Sequence, residues 1–404
     1  YHDRNMFKYD NLKSITSSHH AMSDAINITI NMLIIVSIIF MIVPPILSAN
    51  TALSQEPIEG NDDVFEQIQK GPFIDMLLFV SPQYGNDKQI LQAIKEYIVT
   101  VKQDINWSIR MIFLLEQQND FTYIDDIIEY FHHIYGIKSC LMVGEDIHTP
   151  RSGQYMNMIK PCIIPWATIG GESRYETDHG TIISRPYETD IFISLLYPQQ
   201  TLPYETKKTQ LTSTFQRFCQ HRNHSLNQSI TIFESETMNM HVKSPYQMLN
   251  DTYLCHYIEG PTKVDIERSL PLVHSMFFVH GHSNPSGTCL NDVTNDWFTS
   301  EHLRTLRTPF FAADGCYVNG CWTVENDTVD TSKTPYISVL LDSECIHSMV
   351  LGLLSQQGYA VKGDFFEKNL MDLFEGKTVA SSFLYDINPG DIIFIGDPTF
   401  HFTV

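Results

Sequence analysis

Residues 276–285 read MFFVHGHSNP, and residues 309–320 read PFFAADGCYVNG. Each segment begins with an apolar run and stops abruptly at glycine and a reactive side chain, an imidazole in the first and a thiol in the second. Short apolar runs bounded by turn residues are typical of strands buried on both faces. In an open parallel sheet, ligands bind at the carboxyl ends of the strands. The two segments therefore predict that a histidine and a cysteine meet at one edge of a sheet.

The chain before these segments alternates between strand-like and helix-like patterns. Apolar runs at 74–80, 107–115 and 140–146 are separated by apolar stripes with helical spacing at 90–101 and 124–134. This βαβαβ order predicts a parallel sheet with helices on its faces. Further strands are expected at 190–196, 230–233 and 391–397, and a further helix at 205–222.

Composition divides the chain into four parts. Residues 1–49 hold an uncharged apolar run at 26–47, and residues 50–70 are polar and typical of a linker. The two α/β patterns that follow predict adjacent subdomains at 71–225 and 226–404. The apolar run suits a secretory signal peptide or a signal anchor that holds the chain to a membrane. Both options predict a secreted or membrane-anchored protein whose body lies outside the cytosol.

The charge balance limits the partners of the protein. The 404 residues include 26 Lys and Arg against 47 Asp and Glu, which gives a net charge of −21. Nucleic acid is not an expected partner, because binding its phosphates requires a basic surface. Hydrophobic residues make up 43% of the chain, enough to build a folded core.

The reactive residues at the two predicted strand ends suit nucleophilic catalysis. Cys316 supplies a thiol whose thiolate is a strong nucleophile, and His280 or His282 supplies an imidazole that moves protons. Glycines beside them let backbone N–H groups approach a developing oxyanion. A core cysteine with two loop histidines explains the two segments equally well.

Four ordered segments resemble the gingipain family of cysteine peptidases, within the broader caspase, legumain and metacaspase group. The segment PFFAADGCYVNG is similar to the one that carries the family's nucleophile, with Tyr317 as an extra residue after the cysteine. Residues 124–146, IDDIIEYFHHIYGIKSCLMVGED, resemble a helix and strand of the family. Residues 175–179 and 190–194 resemble the stretches that follow, and FIGDPTF at 394–400 resembles the terminal strand.

The resemblance covers about residues 70–404 and implies a caspase-like three-layer α/β fold with mostly parallel sheets. It implies a cysteine endopeptidase that cleaves protein or peptide substrates through a Cys–His dyad and a thioacyl-enzyme intermediate. Cys316 is then the nucleophile, with its backbone N–H in the oxyanion hole. The chemistry requires no cofactor. Structural calcium accompanies the family, but no residue of this chain is assigned to a metal.

The resemblance leaves two candidates for the histidine. His280-Gly281 fits the group's His-Gly rule and assigns the Gly281 N–H to the oxyanion hole. Gly281-His282-Ser283 fits the gingipain Gly-His-Gly if Ser283 replaces the last glycine, and the Ser283 N–H then serves the oxyanion. Fewer alignment shifts favour His282, with His280 as the alternative.

A third residue is expected to orient the imidazole. In the family a glutamate follows the first strand of the catalytic unit, and the segment ITIFESE at 230–236 places Glu236 there. Without the resemblance, Glu236 is equally well an ordinary loop acid. The stretch that follows, TMNMHVKSPYQ, contains no Asp or Glu, so a preference for basic side chains is not predicted.

Two other functions stay open at this point. A domain of this type that has lost activity would serve as a surface or binding protein. His280-x-His282, with Asp292 and Asp296 downstream, could begin a zinc site, because imidazoles are common zinc ligands. The sequence has no H-E-x-x-H motif, however, and the two acids are as well explained as loop residues.

Overall fold

A computed structural model describes much of the chain from residue 62 onward, and all the described residues belong to one compact unit, Ile58–Val404. No helix within them combines the length and hydropathy that a membrane crossing requires. The apolar run at 26–47 and Cys316 lie outside the described part. The described residues are 62–148, 151–155, 158–161, 164–167, 169, 190–198, 201–220, 222, 224–225, 229–239, 247, 250, 255–284, 287–314, 323–325, 328–330, 351–355, 363–383 and 392–403.

The helices and strands of these residues are named in chain order. The helices are α1 (Asp62–Lys70), α2 (Lys88–Ile105), α3 (Phe121–Tyr135), α4 (Ile164–Ala167), α5 (Tyr204–Gln220), α6 (Lys263–Ser269), α7 (Ser300–Thr305), α8 (Gly363–Phe374) and α9 (Val379–Ser382). The strands are β1 (Met76–Val80), β2 (Ile109–Phe113), β3 (Ser139–Val143), β4 (Arg151–Tyr155), β5 (Met158–Pro161), β6 (Phe192–Leu196), β7 (His224–Ser225), β8 (Ser229–Glu234), β9 (Cys255–Glu259), β10 (His274–His280), β11 (His282–Asn284), β12 (Gly287–Asn291), β13 (Asp296–Thr299), β14 (Phe310–Asp314), β15 (Thr323–Glu325), β16 (Thr328–Asp330), β17 (Leu351–Ser355), β18 (Ile392–Gly396) and β19 (Phe402–Thr403). Short 3-10 helices lie at Glu116–Gln118 and Glu236–Asn239.

Among the described strands, ten form one sheet in the order β2-β1-β3-β6-β18-β17-β14-β10-β8-β9. Neighbouring strands run parallel, except that β17 and β18 are antiparallel. Every residue of β1, β3, β6 and β10 is buried, so both faces of the sheet are covered. The fold is α/β with a mostly parallel sheet, as predicted, and it is compatible with a three-layer arrangement.

The two predicted subdomains contribute to the two halves of this one sheet. The strands β2, β1, β3 and β6 come from residues 71–225, and the other six come from residues 226–404. The halves meet where β6 pairs with β18, through Leu195 and Ile395. The sheet is therefore continuous across the predicted boundary near residue 225.

Local sequence signals explain the helices of the first half. Asp87 precedes α2, and its carboxylate accepts hydrogen bonds from the backbone N–H groups of Gln89 and Ile90, as an N-cap residue does. Helix α3 ends at Gly136, whose φ of 64° lies in the left-handed region that glycine favours. The predicted apolar stripes form the buried faces of these helices, except that Ile134, the last residue of the second stripe, is exposed.

The sequence patterns missed several strands of the second half. Strand β9, CHYIE, is an edge strand with partly or fully exposed residues, so it lacks the continuous apolar run used to find the others. The segments β11, β12 and β13 form a separate antiparallel sheet directly after β10. Strand β17 was also missed.

The acid in the C-terminal motif FIGDPTF ties the end of the chain to the first half. Asp397 follows β18 and is fully buried. It accepts hydrogen bonds from the Tyr97 hydroxyl at 2.6 Å and from the Arg222 guanidinium at 2.8 Å. Since Tyr97 belongs to α2, this buried contact holds the terminal strand against a helix of the first half. The motif is structural in this protein.

Candidate functional site

Three parallel strands bring the predicted catalytic segments to one edge of the sheet. Strand β10 lies between β8 and β14, with Glu234 opposite His280 on one side and Asp314 opposite His280 on the other. Because the strands are parallel, their carboxyl ends share one edge, where ligands bind in folds of this class. The described part of β14 ends at Asp314, two residues before Cys316.

A buried carboxylate–imidazole pair lies at this edge. His280 Nδ1 is 2.9 Å from Glu234 Oε1, and the two residues are 7% and 1% exposed. An ionised carboxylate only accepts hydrogen bonds, so Nδ1 is the donor. The neutral ring then has the tautomer in which Nε2 is the acceptor. This is the arrangement that a general base requires.

The Glu234 carboxylate is held from its other side as well. The Tyr257 hydroxyl, on the neighbouring strand β9, donates a hydrogen bond to Glu234 Oε2. The backbone of Glu234 is also fixed, because the Gly260 N–H donates to its carbonyl oxygen at 2.7 Å. Both carboxylate oxygens therefore have protein partners in a place where water has almost no access.

Gly281 is required by the close approach of a second chain segment. A Cβ built on Gly281 would lie 2.3 Å from the backbone oxygen of Cys289, in β12. Any larger residue would push the β11–β13 sheet away from the end of β10. The His-Gly pair thus lets the antiparallel sheet cross over the strand that ends in His280.

The two predicted histidines have different environments. His280 is buried against Glu234, whereas His282 lies exposed in β11, opposite Cys289. Ser283 is half-buried, and its hydroxyl lies 3.0 Å from both the Gly281 carbonyl oxygen and the Thr288 hydroxyl, within hydrogen-bond distance of each. The resemblance to the gingipain segment favours His282, but the Glu234 carboxylate lies beside His280.

The predicted orienting acid, Glu236, lies elsewhere. It is exposed at the start of the 3-10 helix Glu236–Asn239, and its side chain lies over Gly260. The residue that contacts the imidazole is Glu234, two positions earlier in the same segment. The apolar pattern ITIF predicts a strand that ends at Phe233. Strand β8 has one further residue, Glu234, so the pattern does not indicate this acid.

Asp292 forms a second cluster behind the exposed His282. Its carboxylate accepts hydrogen bonds from the hydroxyl of Thr237 at 2.5 Å and the thiol of Cys289 at 3.2 Å. The Thr237 hydrogen bond is the main cause that holds the pKa of Asp292 below its usual value, with a smaller contribution from His282. Asp292 is therefore ionised near neutral pH and binds the loop after β12 to the segment after β8.

The four described cysteines are poor nucleophiles. None of them is in a disulfide, and burial raises the pKa of each thiol, to about 11 for Cys255 and Cys289. The pKa values of Cys140 and Cys219 are raised by the same cause. A thiol with a raised pKa has little thiolate at neutral pH.

A metal site and a ligand cavity are the other kinds of functional site that the described residues could form. Among the described residues, no group of three or more His, Cys, Asp and Glu has the arrangement of a metal site. A polar cavity of about 520 Å³ lies at the loops that follow β1, β2 and β3, in the other half of the sheet. It contains none of the predicted site residues, and its lining consists of Pro82, Gln83, Glu116, Asn119, Asp146 and His148.

Comparisons with known proteins add no assignment to this geometry. No protein-family model matches the chain, and no curated protein matches it significantly.

Proposed function

We propose that the protein is a cysteine endopeptidase of caspase-like fold and gingipain-like type, with Cys316 as nucleophile and His280 as the proton-transfer residue. The observation that carries this proposal is the buried hydrogen bond of 2.9 Å between His280 and Glu234 at the carboxyl end of β10. Catalytic imidazoles are typically oriented by a carboxylate in this way.

The chain connection supports the pairing with Cys316. Asp314 lies opposite His280 on the adjacent strand, and Cys316 follows two residues later. Neighbouring strands are ~4.8 Å apart, and an extended chain covers at most ~3.6 Å per residue. The covalent chain therefore allows the thiol to reach the imidazole without any change in the sheet.

The reaction follows from these groups. The Cys316 thiol gives its proton to His280 Nε2, and the thiolate sulfur attacks the scissile carbonyl carbon. The tetrahedral adduct expels the amine, which takes the proton from the imidazolium, and a thioacyl enzyme is left. Water, deprotonated by His280, then breaks the C–S bond and releases the acid product and the thiol. Throughout, Glu234 stabilises the imidazolium that forms twice in the cycle.

The oxyanion of each adduct needs backbone donors. We assign this role to the N–H groups of Gly281, which follows His280 in the chain, and of Cys316, the nucleophile itself. One such donor typically contributes ~2.7–4 kcal/mol to stabilising the transition state. If His280 is the base, the second backbone N–H group of the oxyanion hole is that of Gly281 and not that of Ser283.

The apolar run at 26–47 supports a secreted or membrane-anchored location, where protein or peptide substrates would be met. Neither the acidic composition nor the site suggests a nucleic-acid substrate.

The test is labelling with a thiol-directed activity probe together with a peptidase assay. Cys316→Ala and His280→Ala should each abolish labelling and turnover. The thermal unfolding temperature of Cys316→Ala should stay within a few degrees, whereas that of His280→Ala should fall, because the buried Glu234 carboxylate loses a partner. His282→Ala and Cys255→Ala are the matched controls and should keep both signals. An unreactive Cys316 in the folded, reduced protein would contradict the peptidase proposal and favour a binding protein.

A further inference from the structure

The Glu234 carboxylate connects three neighbouring strands. Strand β8 lies between β9 and β10, so Glu234 accepts from Tyr257 on one side and from His280 on the other. Tyr257 is half-buried, and Glu234 is 1% exposed. The three side chains form a continuous hydrogen-bonded row across the carboxyl edge of the sheet.

We propose that Tyr257 is a positioning residue, whose hydroxyl fixes the Glu234 carboxylate so that Oε1 faces Nδ1 of His280. The inference rests on the proposed function of this site, and it assigns a residue that neither the sequence patterns nor the resemblance singled out. Tyr257 acts through Glu234, whose strand β8 lies between β9 and β10.

The physical reason is the freedom of an unrestrained carboxylate. Rotation about the last bond of a glutamate is only weakly restricted, so its two oxygens are interchangeable unless something distinguishes them. At this depth water cannot supply the missing hydrogen bond, and an unsatisfied carboxylate is costly. The Tyr257 hydroxyl donates its hydrogen bond to Oε2. Oε1 then accepts the hydrogen bond from Nδ1 and stabilises the Nδ1–H tautomer of His280.

A neutral donor suits this task better than a cation. Hydrogen bonding to a charged carboxylate is strong, yet a hydroxyl brings no positive charge that would compete with the imidazolium. Five titratable side chains near this edge are exposed and therefore screened by solvent: Glu236, His256, Glu259, His282 and Asp292. The Tyr257 hydroxyl contacts Oε2 of the Glu234 carboxylate, and His280 contacts Oε1.

The test compares Tyr257→Phe with Tyr84→Phe in the full chain. Tyr84 donates an equivalent hydrogen bond, at 2.8 Å, to another buried glutamate, Glu145, in the other half of the sheet. Selective ¹⁵N-histidine labelling, assigned with His280→Ala, reports the tautomer and hydrogen bonding of the His280 ring directly. We expect the ring signals to change in Tyr257→Phe and to stay unchanged in Tyr84→Phe.

Kinetics give a second readout. Removing one hydrogen bond to a charged group should lower kcat about tenfold, with KM within about twofold. A carboxylate that has lost a donor is protonated at higher pH, so the acid limb of the kcat/KM profile should move upward by about half to one pH unit. A purely structural role would lower the amount of folded protein without moving this limb.

A double variant separates the routes by which Tyr257 acts. If it acts through Glu234, Tyr257→Phe should have almost no further effect on the His280 signals or on kcat in the Glu234→Gln background. Additive effects, or unchanged ring signals in the single variant, would overturn the inference. If the wild-type protein shows no thiol reactivity or turnover, the peptidase proposal fails, and the ring signals still decide the role of Tyr257.

Discussion

The two halves of the sheet each contain a buried glutamate that accepts a hydrogen bond from a tyrosine, but the third member differs. In the first half, Glu145 follows β3 and binds the Tyr84 hydroxyl and the ammonium of Lys207, the latter at 2.5 Å. In the second half, Glu234 binds the Tyr257 hydroxyl and the imidazole of His280. The same pair is thus combined with an ammonium in one case and an imidazole in the other.

The difference between the two regions lies in the partner's chemistry. An ammonium with an ordinary pKa near 10.4 holds its charge throughout the physiological range, whereas an imidazole titrates within it. Glu145 and Lys207 are 2% and 7% exposed, so their charges must stay paired. The Glu145 unit therefore suits a permanent clamp between the end of β3 and α5, and the Glu234 unit suits proton transfer.

Both tyrosines act as neutral donors. Burial, together with the negative charge of Glu145, raises the pKa of Tyr84 far above its usual value, so this hydroxyl keeps its proton. In both units a tyrosine hydroxyl donates a hydrogen bond to one carboxylate oxygen. The residue that contacts the other oxygen determines the role of the carboxylate. Substitutions at the two glutamates test whether the two units differ in this way.

The largest effect is expected for Glu234→Gln. Loss of the carboxylate removes the negative charge that favours the Nδ1–H tautomer of His280 and stabilises its imidazolium, so kcat/KM should fall about 10³- to 10⁴-fold. The unfolding temperature should change little, because an amide of the same shape remains. Steady-state kinetics and thermal unfolding measure the two quantities. A fall of less than tenfold would contradict the orienting role of Glu234.

Glu145→Gln should have the opposite profile. It leaves the Lys207 ammonium buried without its counter-charge, a change that typically costs about 3–5 kcal/mol of unfolding free energy. Peptidase activity at a temperature where the variant is folded should stay within about twofold. Urea unfolding checks the stability, and Lys207→Met in the same chain should restore most of it. If activity fell as much as in Glu234→Gln, the two units would not differ in role.

The smallest effect concerns pH and the start of β10. His274 is fully buried, and burial lowers its pKa below 6.5. In the folded protein the neutral ring of His274 is therefore favoured, whereas in the unfolded protein the same ring takes up a proton as the pH falls. This stabilising contribution is complete above pH 6.5 and is lost as the pH falls from 6.5 through the folded pKa.

Urea unfolding at pH 7.5 and 5.5 measures this effect. We expect the free energy of unfolding to be lower at pH 5.5 than at pH 7.5, and part of this difference to depend on His274. His274→Asn removes the titrating group and should reduce the pH dependence, whatever its effect on the stability at pH 7.5. An unchanged pH dependence in this variant would contradict the assignment.

Much of the sheet could be predicted because its strands are continuous apolar runs. The residues of MLLFV, SCLMV, FISLL and the β10 run predict strands by themselves, since strands buried on both faces consist mainly of apolar side chains. The edge strand β9 was missed because half-exposed strands tolerate polar residues. The patterns therefore gave no indication of Tyr257, which lies in β9. They gave none of Glu234 either, because they predict that β8 ends one residue before it.

The sequence by itself determined the α/β class, the alternation of strands and helices, and the placing of His280 and Cys316 after strand-like runs. These features depend on residues close together in the chain, whose hydrophobic pattern reports burial directly. Only the tertiary structure decided that Glu234 lies between Tyr257 and His280, and that β18 joins the two halves of the sheet by pairing with β6. Such contacts join residues 23 and 46 positions apart, as for Tyr257 and His280 with Glu234. Their partners are set by strand order and register, which local patterns do not encode.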